Sequence, residues 1–314
     1  MTIARKPRGY HAAALVVALA AVALAVSPAS HATFSGANGR LAFQKEVGAR
    51  TQLFTVAPDG SGLKQITHFK DSDGDIPAWT KDGARLAYNR HFDPAGPNEQ
   101  ILLYTARANG TGAKALTKSG IAVEQTWFPD GRHILFVQYP AGKLMVINAD
   151  GTGLRPAGVP GPGGNTCVLP DGKHIAMIRP KTKDGDDVSA IFVAGLYGHG
   201  LKRITPWGSY ADKIDCSPDG KRIVFSQPAF GEGGASSNVY TMAIDGSDPV
   251  QLTQSSGGAI NNGADSWSPD GTKIAYVSNA TGTYQIWTMN TDGSGATQLT
   301  VGTEAHRAAW GAHP

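Results

Sequence analysis

The sequence predicts an all-β protein made of six copies of one unit, each holding about four short strands. Three observations carry this expectation. A Pro-Asp-Gly-type turn recurs along the chain. A large apolar side chain stands six residues before a second glycine in every copy. Most copies then close on Ile-Thr or Leu-Thr. Glycine and proline are frequent, at 40 and 19 of 314 residues. Apolar residues nevertheless alternate within short runs, which argues for packed strands rather than disorder.

The last copy shows the elements most clearly. Ser268-Pro269-Asp270-Gly271 suits a type I turn, with proline presetting φ at the second position and glycine closing the fourth. The strand Ile274-Ala-Tyr276 follows, then a β-rich run from Ile286 to Asn290. Asp292-Gly293 is a second hairpin signal before the short strand Gln298-Leu-Thr300.

Equivalent first turns lie at Asn38-Gly39-Arg40, Lys81-Asp82-Gly83, Pro129-Asp130-Gly131, Pro170-Asp171-Gly172 and Pro218-Asp219-Gly220. The six glycines are 44, 48, 41, 48 and 51 residues apart. The second glycines are Gly60, Gly110, Gly151, Gly198, Gly246 and Gly293, preceded six residues earlier by Phe54, Tyr104, Met145, Phe192, Tyr240 and Trp287. The third copy lacks the closing dipeptide and has a Pro-Gly-rich run over 157–164 instead, read as a loop beside a weak outer strand.

A period of 40–50 residues with four strands per copy is the pattern of β-propeller blades. The W-S-P-D-G, I-A-Y, I-W-T-M-N, D-G-S-G and Q-L-T segments together resemble the WD-like repeat of the TolB family, over nearly the whole chain after residue 32. The resemblance implies a six-bladed propeller. The family's pattern also has a smaller α/β domain ahead of the propeller, but only a few residues separate Ala32 from the first unit here, so that domain is expected to be missing. Propellers of this type also occur as domains of peptidases and polysaccharide lyases, so the motif specifies the repeat far better than the function. Glu304-Ala-His-Arg-Ala-Ala-Trp310 matches the start of a unit, as in Ile76-Pro-Ala-Trp79, while the first unit lacks that strand. The C-terminal strand is therefore expected to join the first blade from inside and close the ring. Residues 33–314 then form one domain.

Residues 1–32 read as a secretory signal peptide. Arg5, Lys6 and Arg8 precede an apolar run from Ala12 to Val26, and small residues end at Ala32. That run is short for a membrane span. An exported protein, periplasmic or extracellular and without a permanent anchor, is expected. The leader holds three of the 28 basic residues and no acidic ones, which leaves 25 basic against 25 acidic. Such a balance does not fit a nucleic-acid binder.

Catalytic signatures are absent: there is no G-x-S-x-G, H-E-x-x-H or Walker-type loop. Candidate binding positions come from the unit starts. Four residues before each tryptophan-equivalent position stand Asp75, Val123, Gly164, Asp212, Gly263 and His306. One step further are Ile76, Glu124, Asn165, Lys213, Ala264 and Arg307. Asp75, Glu124, Asp212, Lys213, His306 and Arg307 can thus form a polar rim at the channel mouth, either gripping a ligand or simply solvated. The uneven loops 91–99, 181–187 and 229–236 share that face and offer binding surface. Asp71, Asp73 and Asp75 alternate as carboxylates do in calcium loops, but without the EF-hand glycine or bidentate glutamate, so a calcium site and an ordinary inter-blade loop are both open. No other cofactor is expected. Cys167 and Cys216 fall near one height on neighbouring blades and can be a disulfide or two buried thiols.

The function read from these residues is a non-enzymatic binding or scaffold propeller of the cell envelope, monomeric, with a protein or a small polar or glycan ligand. A glycan-acting lyase or hydrolase at the channel mouth is the alternative.

Overall fold

The computed structural model describes residues 34–94, 96–183, 186–209, 211–228, 236–255 and 260–313. The expected signal peptide and nearly all of the expected loop over 229–236 lie outside the described residues.

The chain makes short strands because its turns are locally specified. In Phe128-Pro-Asp-Gly131 the glycine N–H donates to the Phe128 carbonyl at 3.0 Å, and Asp130 Oδ1 accepts from Arg132 N at 2.8 Å. The same pair of bonds recurs at Gly83, Gly172, Gly220 and Gly271. Aspartate closes the turn through its side chain while proline and glycine set the backbone.

Strands β1 (Asn38–Val47), β2 (Arg50–Val56) and β3 (Lys64–Gln65) build the first sheet. The next eight strands are β4 (Ser72–Trp79), β5 (Arg85–Phe92), β6 (Gln100–Arg107), β7 (Lys114–Ala115), β8 (Ile121–Trp127), β9 (His133–Tyr139), β10 (Lys143–Asn148) and β11 (Arg155–Pro156). They form two antiparallel groups joined by one parallel contact, Ile101 to Ile121. A third sheet holds β12 (Thr166–Val168), β13 (His174–Lys183), β14 (Asp186–Gly195) and β15 (Lys202–Arg203), with a 3-10 turn at Leu196–Gly198. Then come β16 (Ile214–Cys216), β17 (Arg222–Pro228), β18 (Ser237–Ala243) and β19 (Val250–Gln251). A last sheet holds β20 (Asn262–Trp267), β21 (Lys273–Ser278), β22 (Gln285–Asn290) and β23 (Thr297–Gln298). Finally β24 (Ala305–Ala312) pairs antiparallel with β1, Leu41 opposite Trp310 and Gln44 opposite His306.

The aromatic landmark has a structural reason. Phe54, Tyr104, Tyr240 and Trp287 lie directly across the ladder from Phe43, Tyr88, Phe225 and Tyr276, with ring centroids 5.6–6.3 Å apart. Met145 faces Phe136 and Phe192 faces Met177 in the other two units. Each pair fills the core of its sheet with a cross-strand contact.

The Ile/Leu-Thr ending also has a role. The outer strands are only two residues long, and the threonine hydroxyl accepts the next free N–H of the third strand. Thr67 takes Leu53 N, Thr117 takes Leu103 N, Thr205 takes Ile191 N, Thr253 takes Val239 N and Thr300 takes Ile286 N, all at 2.8–3.0 Å. In the third unit Gly158 stands in the threonine's place, yet the outer strand still pairs, Met145 with Pro156.

The leading strands β4, β8, β12, β16, β20 and β24 pack on one another in succession. Trp79 Nε1 donates to the Ala309 carbonyl and Trp127 Nε1 to the Ala78 carbonyl, each at 3.1 Å. Trp310 N reaches Ser266 Oγ at 2.9 Å, and Trp267 N reaches Asp215 Oδ2 at 2.8 Å. Gly311 permits this closeness, since a Cβ there would sit 2.7 Å from the Trp79 ring. Between β12 and β16 the link is covalent: Cys167 and Cys216 form a disulfide with a Cα separation of 5.7 Å.

The loop expected over 181–187 is mostly ladder, because β13 and β14 pair Lys181 with Val188 and Thr182 with Asp187. Segment 71–75 is likewise not a loop: Ser72–Asp75 pairs with Asn89–Phe92 as the start of β4.

Replacing Thr300, which is 4% exposed, by valine strands the Ile286 N–H. Thermal unfolding of Thr300→Val should show a loss of about 1–3 kcal/mol. Thr297→Val, at an exposed position, should move stability by less than about 0.5 kcal/mol.

Candidate functional site

The leading strands do more than pack. In β4, β8, β20 and β24 the ladder slips by one residue with the extra residue on the leading strand, and the β24–β1 ladder has a second shift near Asn38 with the extra residue on β1. Such bulges re-aim side chains. At three of them a non-glycine residue takes a left-handed backbone: Ile76 at φ 51°, Glu124 at φ 58° and Arg307 at φ 60°. That conformation costs of the order of 1–3 kcal/mol per residue and persists where the surroundings impose it. These are the same positions that the repeat alignment singles out at the unit starts.

The bulges gather the predicted rim into one electrostatic cluster. Burial pushes the Glu124 carboxyl up to about 8; Arg307 and Lys213 act against that rise, while Asp212 and Asp75 add to it. Burial also raises Asp75, opposed by Arg307 and His91. His306 is lowered by desolvation, although Glu304 accepts its Nε2 contact at 3.2 Å and favours the charged ring. Lys213 Nζ pairs with Asp265 Oδ1 at 3.1 Å.

All six predicted rim residues therefore belong to one neighbourhood, but it is not an open, solvated rim. Glu124, Lys213 and Arg307 are only 6%, 6% and 4% exposed, and Asp75, Asp212 and His306 are half-buried. Asp265, 2% exposed, was missed by sequence reasoning. Its signal was available: other units hold Pro77, Gln125, Thr166, Ile214 or Ala308 at that place, and a carboxylate in a buried strand needs a cation nearby.

The cluster brings several carboxyl groups together in a buried place. Among the described residues, the carboxyl groups of Asp75, Glu124, Asp212 and Asp265 lie around the cations Lys213 and Arg307. Asp75 Oδ1, Glu124 Oε2, Asn165 Oδ1 and Asp265 Oδ2 are buried and accept no hydrogen bond from any described residue. Buried oxygens of this kind are uncommon, and they fit a group that brings donors and positive charge.

Asp73 and Asp75 of the aspartate triplet alternate along β4, and Asp71 stands just before it. Alternate residues of an extended strand are about 6.6 Å apart. Asp71 and Asp73 each have a partner: Arg90 Nη2 bonds Asp71 at 3.0 Å, and Asp73 takes Thr51 N at 2.8 Å with Arg50 at 3.7 Å. Among the described residues no group of three His, Cys, Asp or Glu side chains is arranged to hold a metal.

A cavity of about 180 Å³ lies away from this cluster, between the third and fourth units, and is lined in part by Phe128, Val146, Ala157 and Tyr197.

Glu124 keeps its proton in the folded chain up to pH about 8, whereas the unfolded chain releases it near 4.5. The native state then binds more protons across that window, so this group makes stability fall as pH rises from about 4.5 to 8. Glu124→Gln should match the wild type near pH 5 and gain on it progressively up to pH 8, by the order of a few kcal/mol. Parallel Tm–pH curves for the two proteins would refute the assignment.

Comparison with known proteins bears on the fold. The model of the TolB beta propeller domain matches residues 215–313. An uncharacterized protein of Agrobacterium fabrum is 35% identical over 98 residues, a match spanning 31% of this chain and 30% of that protein. Among solved structures, TolB from Acinetobacter baumannii superposes with a TM-score of 0.71 at 22% identity, over 87% of this chain and 67% of its own. A putative TolB from Agrobacterium tumefaciens gives 0.65 at 18%, over 85% and 91%. An oligogalacturonate lyase in complex with manganese gives 0.52 at 16%, over 85% and 74%. At these identities the structural likeness speaks for the fold alone. No described helix is long and apolar enough to cross a membrane.

Proposed function

We propose that this chain, a TolB-like β-propeller, is an exported, non-enzymatic binding module of the cell envelope that receives a cationic group of a protein partner at its channel mouth. The observation that carries this reading is the buried cluster around Glu124, in which Asp75, Glu124 and Asp265 each keep an oxygen without a donor. A lysine ammonium or an arginine guanidinium supplies both the charge and the hydrogen-bond donors that these oxygens lack. Entry of such a group favours the Glu124 carboxylate and expels its proton.

The reading includes a single domain over 33–314, closed as a ring of six four-stranded blades. It is supported by the unbroken succession of contacts among the leading strands and by the β24–β1 pairing. Export is supported by the Cys167–Cys216 disulfide, since such bonds persist in oxidising compartments.

The test compares the wild type with the Asp75→Asn/Glu124→Gln double variant, both immobilised and exposed to envelope extract. Partners retained by the wild type should be released by salt and should bind the variant at least about tenfold less. Equal capture by both proteins would remove the channel mouth as the site, and no specific capture at all would remove the protein-binding role.

A further inference from the structure

The six units are scaffold wherever they agree, and two departures from the pattern face each other across one cleft. In five units the residue after the outer strand is Ile66, Leu116, Ile204, Leu252 or Leu299; each approaches the second glycine turn of the following unit, at Gly110, Gly151, Gly246, Gly293 and Gly60 respectively. Their side chains join apolar clusters that include residues of the following unit. In the third unit that place is held by Ala157, a much smaller side chain.

On the opposite wall, the residue before the second glycine is Asp59, Asn109, Asp150, Asp245 or Asp292 in five units, and its side-chain oxygen accepts the N–H two residues on, at 2.9–3.1 Å. The fourth unit has Tyr197 instead. Tyr197 has no such oxygen and adopts φ 68°, a strained conformation for an aromatic residue, while remaining 64% exposed. The two departures are in contact, Tyr197 N donating to the Ala157 carbonyl at 3.0 Å. Gly158 makes room for this, because a Cβ there would lie 2.9 Å from Tyr197 Cα.

The cavity of about 180 Å³ opens at this junction. Its apolar walls are Phe128, Val146, Ala157, Leu196 and Tyr197, and Arg155 stands at its edge. Asp130, also on the edge, is already engaged: its oxygens take Arg132 N, His133 N and His133 Nδ1. Among the described residues the Arg155 side chain makes one hydrogen bond, from Nη1 to the Gly153 carbonyl at 3.2 Å, and so retains donors in a planar fork suited to a carboxylate. Apolar cavities of roughly 150 Å³ accept a benzene ring.

We propose that the Ala157–Tyr197 cleft is a second binding site, for a carboxylate carrying one apolar group of phenyl or branched-alkyl size. The apolar group enters beside Ala157 and Phe128, Tyr197 covers it, and Arg155 holds the carboxylate. Both a free arylalkyl acid and the C-terminal residue of a polypeptide have this chemistry. The site is separate from the Glu124 cluster and stands or falls independently of it.

The test is a titration followed by methyl NMR at Ala157, Val146 and Leu196, using 3-phenylpropionate, its amide, and a pentapeptide ending in a free phenylalanine. Saturable shifts with a dissociation constant in the millimolar range are expected for the acid probes, as suits so few atoms. Ala157→Leu restores the residue type of the other units; it should keep or raise Tm and weaken binding by about tenfold or more, read from the Val146 and Leu196 methyls. Tyr197→Gly relieves the left-handed backbone, so its Tm should not fall, while binding does. Arg155→Gln should abolish the preference for acid over amide. Saturation by the pentapeptide alone assigns the site to a polypeptide end, and saturation by 3-phenylpropionate as well assigns it to free acids. No saturation by either acid, or unchanged affinity in Ala157→Leu, overturns the proposal.

Discussion

The pairing of β24 with β1 is the constraint on which both the sheets and the candidate site depend. It gives the first sheet a leading strand taken from the far end of the chain. It also lays Trp310 against Gly39, whose carbonyl accepts Nε1 at 3.2 Å, and places Ala309 where Trp79 can reach it. The same strand carries His306 and Arg307 to residues that entered the fold some two hundred positions earlier. Arg307 is the largest influence opposing the burial of both Asp75 and Glu124. Without β24 those carboxyls lose the largest charge opposing their burial, and β1 is left with an unpaired flank.

The molecule divides its labour by face and by copy. Repeated residues satisfy backbone groups: the turn aspartates take loop amides, and the closing threonines take third-strand amides beyond the reach of two-residue outer strands. Repeated aromatics fill the sheets. Residues that vary among copies carry charge at the leading-strand bulges or leave space between units. This is the pattern expected when a quasi-repetitive scaffold is specialised locally.

Much of this was readable from the sequence because its causes are local. Pro-Asp-Gly turns, cross-strand aromatics and the unit-like segment ending at Trp310 each follow from a few neighbouring residues. The rim at Asp75, Glu124, Asp212, Lys213, His306 and Arg307 was also reachable, since aligned copies put those residues at one height. Their burial was not, because it depends on bulges that turn the backbone at Ile76, Glu124 and Arg307, and no residue there is a glycine that would announce a left-handed conformation. The calcium-like spacing of Asp71, Asp73 and Asp75 was ambiguous in the sequence, because alternation in a loop and alternation in a strand look alike until the ladder is seen. The Ala157–Tyr197 cleft needed two units to be compared at once across a contact that neither encodes alone. The third unit's missing Leu-Thr was visible, but not what faced it.

Hydrogen exchange on the full chain tests the β24–β1 constraint most directly. Peptides covering 305–312 and 38–47 should exchange together, as slowly as the paired β21 and β22 segments of the last sheet, because all open only with the cooperative unit. Rapid exchange of 305–312 while 273–290 stays protected would contradict the account, for it would show the last strand to be a loosely held end rather than the member that completes the first sheet.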